Sequence, residues 1–488
     1  MIYIIVTIAY LVFLTGIIAY KSRTVKTQED FVVAGRGVPV YLLVGTLICT
    51  WIGSGSLFGT AGLTFRSGFS EIWFSMGAWI GIAVIYLIAA RVRSISKYTL
   101  TDLLETRYNK TARILGTITI IVAYLVIAGY QFKGGGRFIS ILTEGAISPD
   151  TGTLITCALI IAFTAVAGMV SIVSIDIFNG IIMTVAVVLA LPLAISSHGG
   201  WGQVVNTIQQ TNPDYLSLTE GHSFSWALGV MLPTLLLLLS ESSIYQKFSS
   251  AKDAQSAKKA VIGMLTGVVI IEVLMCTLAV VGYAIYAHDQ RFFLSDGSIN
   301  RTMSEEIILR IGYEQLPAYA GSLIFAAGVA IILSTGNTFL MVASTNVTRD
   351  LLQGLFGKIV EEKFILIQRI SIVVLGVLGY ALVSQFTTIL EMAFISYTMI
   401  GAAIAPVLMA AFFWKRVTPA GGVTAIIVGM MVPVINKVLE SLEVSFWIFP
   451  MDTDYISIPS LAASSALLIL VSLMTKPSEE SKWKPFFE

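Results

Sequence analysis

Charge is scarce in this chain. Asp, Glu, Lys and Arg make up 12% of its 488 residues, against 56% hydrophobic residues, and mean hydropathy is +0.85. Soluble domains carry about 25% charged residues, so a water-soluble globular fold is excluded. The formal net charge is +1, which implies neither nucleic acid nor a large acidic partner. Cysteine is almost missing. Cys49, Cys157 and Cys276 all fall inside apolar runs, where they read as free buried thiols, neither a disulfide framework nor a metal cluster. The three histidines, His198, His222 and His288, all fall in polar connections, which excludes a histidine-based metal or proton site inside the apolar runs. Long polar stretches are missing too. No connection has room for a soluble catalytic or sensor domain, and the longest, near 196–223 and 288–316, read as external lids.

What is present is a succession of apolar runs. About thirteen reach the length of a membrane helix, roughly 20 residues. They lie near 2–20, 40–63, 69–91, 112–142, 150–171, 175–195, 224–247, 259–287, 317–346, 365–384, 387–413, 420–440 and 457–474. No cleavable signal is evident, and Ile2–Tyr20 reads as a retained first helix. The fold class is therefore an all-α integral membrane protein, a single membrane domain over 1–488.

Basic residues in the connections set orientation. Lys21, Arg23 and Lys26 follow the first span, and Arg91, Arg93, Lys97, Arg107, Lys110 and Arg113 follow the third. Lys247, Lys252, Lys258 and Lys259 follow the seventh, Arg349, Lys358 and Lys363 the ninth, and Lys415 and Arg416 the eleventh. The connections 143–149 and 196–223 have no lysine or arginine. This alternation places the amino terminus outside and the carboxyl terminus in the cytoplasm. The segment 288–316 breaks the pattern with Arg291, Arg301 and Arg310, but it also holds five acids, and long loops obey the rule weakly.

Two spans are unlike the others. Val40–Leu63 is long enough to cross a bilayer, yet its centre reads Cys49-Thr50-Trp51-Ile52-Gly53-Ser54-Gly55-Ser56. Glycine costs about 1 kcal/mol in a helix relative to alanine, and Ser and Thr offer the backbone competing hydrogen bonds. A helix interrupted at mid-depth points to a transporter's ion and solute site; the alternative is a glycine face for close helix packing. In the second span, Pro317–Val347, Ser334, Asn337, Thr338, Met341 and Thr345 share one helical stripe. Such a stripe either hydrogen-bonds to another helix or supplies hydroxyls and carbonyls to a small hard cation.

Four motifs then resemble the sodium:solute symporter family. Asp30-Phe31-Val32-Val33-Ala34-Gly35-Arg36 is similar to the family's DFxxAGR, and Ala167–Asn179 to its GGxxAVxWTDxxQ, with Ala167, Ser174, Ile175 and Asn179 replacing the usual residues. Tyr245–Lys252 resembles its QRxxSAK segment, and Ser396-Tyr397 through Pro406 to Trp414–Thr418 its late signature. The resemblance covers nearly the whole chain. It implies a LeuT-like core of two inverted five-helix repeats with discontinuous helices at mid-membrane: 1–39 flanking, 40–196 the first repeat, 224–413 the second, and 414–488 flanking helices. It also implies sodium as the coupling ion. The carbonyls of Cys49, Ile52 and Ile331 and the hydroxyls of Ser334 and Thr335 match the family's ligands, and Asp176 its nearby acid. A second sodium would use Ser334, Asn337, Thr338 and Asp176. On the solute side Trp51 stands where choline-transporting members carry a tryptophan, in a TWxGxG match covering Gly53. Glu241, with Ser242, lines up with solute-contacting positions.

The remaining charges leave alternatives open. Lys133 either snorkels outward or faces the cavity, with Gly134-Gly135-Gly136 allowing close approach. Arg137 reads as snorkelling, Glu71 and Glu391 as interfacial, and Glu272 as a structural contact in an apolar run. An intramembrane aspartate is a functional candidate by default, with pairing to a lysine or backbone as the structural reading of Asp176. The expected function is a sodium-coupled symporter importing a small polar solute by alternating access in a bacterial inner membrane. An amino acid or betaine-like zwitterion comes first, a monocarboxylate second, and a sugar third. The transport unit is expected to be a monomer. A proton-driven carrier using Asp176 or Glu272 is the nearest rival. A channel lacks its rings of repeated residues, a receptor lacks a signalling domain, and an enzyme lacks a catalytic or metal-ligand grouping within the spans.

Overall fold

The computed structural model describes the chain apart from residues 24–26, 96–98, 355–356, 358–360, 384–385, 447 and 488, and apart from the side chains of 28, 30, 167, 361 and 362. Lys26, Lys97 and Lys358, counted above as orienting residues, lie outside the described residues. Among the described residues the chain is helical, with no β-strand beyond isolated bridges. Twelve helical stretches there are long and apolar enough to cross a membrane, and Val40–Trp51 is apolar but shorter.

The principal helices are α1 (Ile2–Ser22), α2 (Val40–Trp51), α3 (Ala61–Ser67), α4 (Ile72–Tyr86), α5 (Lys110–Leu142), α6 (Pro149–Ser197), α7 (Phe224–Ser240), α8 (Ser242–Ser250) and α9 (Ala254–Tyr286). They continue with α10 (Ala318–Thr345), α11 (Glu361–Val383), α12 (Ile389–Phe413), α13 (Pro419–Ser441) and α14 (Ser457–Met474). Many begin on a polar residue whose side chain takes up a first-turn amide. Asn109 accepts from Ala112 N, Ser148 from Thr151 N, Ser223 from Trp226 N, Asp253 from Ser256 N and Thr418 from Gly421 N. Pro149 and Pro419 supply the pre-set φ of a first helical position.

Where the sequence suggested a connection between 171 and 175, α6 continues. Its bend is made at Gly168 alone, with φ 62° and ψ 169°, a backbone region that glycine enters without steric cost.

Two groups of helices form the body. In one, α5, α6, α10 and α11 pack against each other; in the other, α4 packs on α7 while α9 packs on α2 and α4. The groups meet where α6 packs on α2 and α9, and α12 touches both α5 and α7; α10 is buried for almost its whole length. Close approach of α5 and α6 depends on the triple glycine: a Cβ at Gly135 would stand 2.3 Å from the Thr156 side chain, and one at Gly136 2.3 Å from the Pro149 carbonyl. On the periphery, exposed apolar residues recur every three or four positions, as at Ile5, Ile8 and Val12 on α1 and Ile370, Val373 and Val377 on α11. Such faces suit lipid, while the interior, mostly apolar, also encloses polar side chains such as Asp176, Glu241, Lys247 and Asn337.

Three charges lie differently from the sequence reading. Arg137 does not snorkel: it is 4% exposed and paired with Glu305. Glu305 comes from the 288–316 connection, which is therefore more than a lid. Its carboxylate turns inward and accepts Ile389 N at 3.1 Å and Leu390 N at 2.9 Å, capping α12. Glu71 is not interfacial; it is 1% exposed and accepts a 2.8 Å hydrogen bond from Ser75 Oγ. Arg137 and Glu305 find partners on distant elements, which spacing along the chain does not reveal, whereas Glu71 finds its own four residues on.

Candidate functional site

The chain leaves helical geometry at Ile52, with φ −76° and ψ 96°, and resumes through a π-helical turn, Gly55–Thr60, into α3. Amides that a continuous helix would use internally go elsewhere. Ser54 N donates to Gln131 Oε1 of α5 at 3.0 Å, and Ser56 N and Leu57 N both turn to Gly53 O at 3.0 Å. At this break the carbonyls of Cys49 and Ile52 share one proton: Thr335 Oγ1 of α10 donates to them at 3.2 and 3.3 Å. The approach is tight. A Cβ on Gly53 would stand 2.8 Å from Thr335 Cγ2 and 3.1 Å from Gln131 Nε2. Two carbonyls and a hydroxyl, with Ile331 one turn earlier on α10 and Ser334 adjacent, are the uncharged oxygen set that suits a small hard cation.

Beside this set lies a buried ion pair. Asp176 of α6 accepts from Ser334 Oγ and Thr46 Oγ1, each at 2.5 Å, and faces Lys247 Nζ at 3.6 Å. Lys247 also donates to Thr46 O at 3.0 Å and to Thr50 Oγ1. Both Asp176 and Lys247 have no solvent exposure. Lys247 was expected among the cytoplasmic orienting charges; instead it lies on α8 in the interior. The sequence signal was Lys247 falling within the QRxxSAK-like segment directly after an apolar span, where a charge needs a partner. Further along α10, Asn337 Oδ1 accepts from Thr164 Oγ1 of α6 at 3.0 Å, while Asn337 Nδ2 and Thr338 Oγ1 are buried without a partner.

A second interruption falls at Glu241, between α7 and α8, with φ −69° and ψ 95°. Glu241 caps its own continuation, with Oε1 accepting from Ser243 Oγ at 2.9 Å and Ser243 N at 3.4 Å. The same oxygen receives Tyr124 OH from α5. Its other oxygen, Oε2, is buried without a partner, as are Ser242 Oγ, Ser54 Oγ, Gln131 Nε2 and Thr398 Oγ1. Tyr130 of α5 and Tyr397 of α12 join hydroxyl to hydroxyl at 3.0 Å. A Cβ on Gly55 would stand 2.8 Å from Tyr397 OH, so that glycine lets the first break reach these tyrosines.

The structure thus joins Cys49, Ile52, Ser334, Thr335 and Asp176 in one contact network, and brings Gly53 onto Thr335 and Gln131. Trp51 points its indole toward α9, where Nε1 donates to Glu272 Oε1 at 2.7 Å. Lys133 stands apart from the group, donating to Phe386 O beyond the end of α11. Tyr124, Tyr130, Gln131 and Tyr397 escaped the sequence reading as site residues. The positions of Tyr124 and Gln131, seven residues apart and so on one face of α5, were the available signal.

The sequence profile of the sodium:solute symporter family matches residues 31–429. Among curated proteins, the osmoregulated proline transporter of Bacillus subtilis is 26% identical, with 97% of this chain and 94% of that protein aligned. The high-affinity proline transporter of the same organism is 25% identical with 96% of each covered, and a sodium/proline symporter of Staphylococcus aureus is 24% identical, covering 97% and 93%. Among solved structures, the substrate-bound outward-open state of a Na+-coupled sialic acid symporter superposes with TM-score 0.80 at 17% identity, over 98% of this chain and 99% of that one. Mhp1, a nucleobase-cation-symport-1 family transporter in a closed conformation, gives TM-score 0.56 at 13% identity over 93% and 97%. The fold is the LeuT-like one of these transporters.

Proposed function

The chain belongs to the sodium:solute symporter family, and on that footing we propose that its solute is a small zwitterion held between the two broken helices, with proline the first candidate. The protein is a multi-pass membrane transporter, not an enzyme, and couples sodium to a small organic solute. The solute and the groups that hold it, the sodium ligands and their number, the repeats, the orientation and the monomeric unit are our reading.

The observation that carries the solute assignment is the orphaned Oε2 of Glu241, buried at a helix break and facing no donor. An ammonium N–H satisfies it; a quaternary ammonium cannot donate, so an amino acid fits better than a betaine. Gln131 Nε2 and the hydroxyls of Ser54, Ser242 and Thr398 are the unpaired donors that a carboxylate needs. Tyr124 and Gln131 stand about 10 Å apart along α5 at 1.5 Å per residue, a span that a small zwitterion hydrogen-bonded at both ends fills. The proline transporters among the relatives agree with this choice. A monocarboxylate or a sugar would leave Glu241 Oε2 without a cationic partner.

Sodium is assigned to the Cys49, Ile52 and Ile331 carbonyls with the Ser334 and Thr335 hydroxyls. One site is assigned, not two. The ammonium of Lys247 already neutralises Asp176, and both carboxylate oxygens are engaged, so Asn337 and Thr338 lack the free anion that a second sodium needs.

Occupation of the first set ties α2 to α10 and so joins the two helix groups. By linkage, whatever factor sodium adds to solute affinity the solute adds to sodium affinity. The near-equal dihedrals of Ile52 and Glu241 support the reading of 40–196 and 224–413 as related repeats. Clustering of Arg107, Arg113 and Arg349 at one end, the last two on Asp350 and Asp102, supports a cytoplasmic face there and the amino terminus outside, in a plasma membrane. The transport unit is taken as a monomer.

The test is uptake of labelled proline by proteoliposomes under an inward sodium gradient. Uptake that needs sodium, saturates with a Hill coefficient near one for sodium, and is lost in Glu241→Ala is expected. Uptake unaffected by replacing sodium with potassium at constant pH, or a sodium Hill coefficient near two, would overturn the corresponding part.

A further inference from the structure

Two tryptophans from different helices direct their indole N–H groups at one buried carboxylate. Trp51 Nε1 of α2 lies 2.7 Å from Glu272 Oε1, and Trp79 Nε1 of α4 lies 2.6 Å from Glu272 Oε2. Glu272 is on α9 and 4% exposed. Each oxygen receives one indole, so the carboxylate is divided between two elements of the same helix group.

The seam leading to this point has little slack. A Cβ at Gly263 of α9 would stand 2.5 Å from Val44 Cγ2, and one at Gly267 would stand 2.3 Å from Ile48 Cδ1. Val44, Ile48 and Trp51 are successive positions on one face of α2; Gly263 and Gly267 of α9 meet the first two, and Glu272, five residues further on, reaches the third by its hydrogen bond. Glu272 thus holds α2 at Trp51, the last helical residue before the break. Ile52, whose ψ of 96° makes the break, follows directly.

We propose that Glu272 is a positioning residue for the solute site, acting through Trp51: by fixing the indole it fixes the direction in which α2 ends and where Gly53–Gly55 lie. This rests on the assignment of the solute to the space between the two breaks. Trp79 serves as the counter-anchor, holding the second oxygen so that the first stays on Trp51. Two N–H donors require two acceptors, and a carboxylate supplies both. An amide of the same size supplies one oxygen and an NH2 that opposes the other N–H.

The experiment follows from that asymmetry. In proteoliposomes, Glu272→Gln should raise the KM for proline about tenfold, with maximal rate and the sodium-induced thermal shift held within twofold. Trp79→Phe/Glu272→Gln removes the opposed donor and leaves the amide oxygen free for Trp51, so KM should return to within about threefold of wild type. A double variant as poor as the single one, or a Glu272→Gln variant with unchanged KM, would overturn the proposal. If Glu272→Gln does not assemble, Trp51→Phe removes the same hydrogen bond from the other side and should give the same KM rise; no rise there would equally overturn it. Wild-type protein without proline uptake would instead defeat the solute assignment, and the same KM series on the solute that it does take up with sodium then decides the role of Glu272.

Discussion

The breaks at Ile52 and Glu241 have almost the same backbone angles, φ −76° and ψ 96° against φ −69° and ψ 95°, but they settle their loose ends in opposite ways. The first spreads over Gly53–Ser56 and borrows from its neighbours, taking Gln131 for an amide and Thr335 for two carbonyls. What it leaves over is acceptor capacity without formal charge. The second is confined to one residue, whose carboxylate caps the Ser243 amide, and what it leaves over is one carboxylate oxygen. One geometry thus yields two chemistries: neutral oxygens that suit a bare cation, and an anion that suits a cationic N–H donor.

The largest effect should come from the ion pair below the first break. Lys247→Met strands the fully buried Asp176, and breaking a buried pair from one side costs about 3–5 kcal/mol. A clear fall in melting temperature is expected, mostly recovered in Asp176→Leu/Lys247→Met. Equal loss in the single and double variants would show that the pair is not the reason. Next, the two breaks should come apart under mutation. Gly53→Ala puts a Cβ 2.8 Å from Thr335 Cγ2; overpacking costs about 1–3 kcal/mol, and displacing Thr335 should reduce the sodium-specific thermal shift. Glu241→Gln should leave that shift intact without solute and raise solute KM at least tenfold. If both variants lose the sodium response equally, the division of labour between the breaks is wrong.

The first break was legible because Gly-Ser-Gly-Ser in an apolar span is a local signal, and so was the polar stripe that begins at Ser334 and runs through Asn337 and Thr338. The second was legible only as Ser240-Glu241-Ser242 inside a hydrophobic run. The partners of the charges were not. Lys247 looked like a loop residue because it follows the apolar run, yet it meets Asp176 from 71 positions further along the chain. Glu305 reaches Arg137 across 168 positions, and Trp51 reaches Glu272 across 221. Hydropathy fixes which segments are helices; it carries no information about which buried charge faces which. The bend of α6 was misplaced for a related reason, since a single left-handed glycine leaves no polar loop to read.

A smaller effect separates both breaks from ordinary titration. Glu220, in the connection before α7, is pushed up by burial to about 7 from 4.5. With the folded value raised, its contribution to stability is full below about pH 4.5 and lost as pH rises through about 7. Stability measured from pH 5 to 7 should therefore decline with a slope that Glu220→Gln reduces, while the sodium response at fixed pH is the same in both proteins. A sodium response that follows the Glu220 titration would tie the connection before α7 to the ion site.

The most direct measurement is the melting temperature of the purified protein against sodium, with potassium as control, for wild type and Ser334→Ala/Thr335→Ala. A bound ion at about a hundred times its Kd stabilises by about 2.7 kcal/mol. The expected result is a saturating, sodium-specific rise in the wild type that is absent from the double variant. A sodium-specific rise undiminished in the variant would contradict the assignment of the ion to the Thr335 side of the first break.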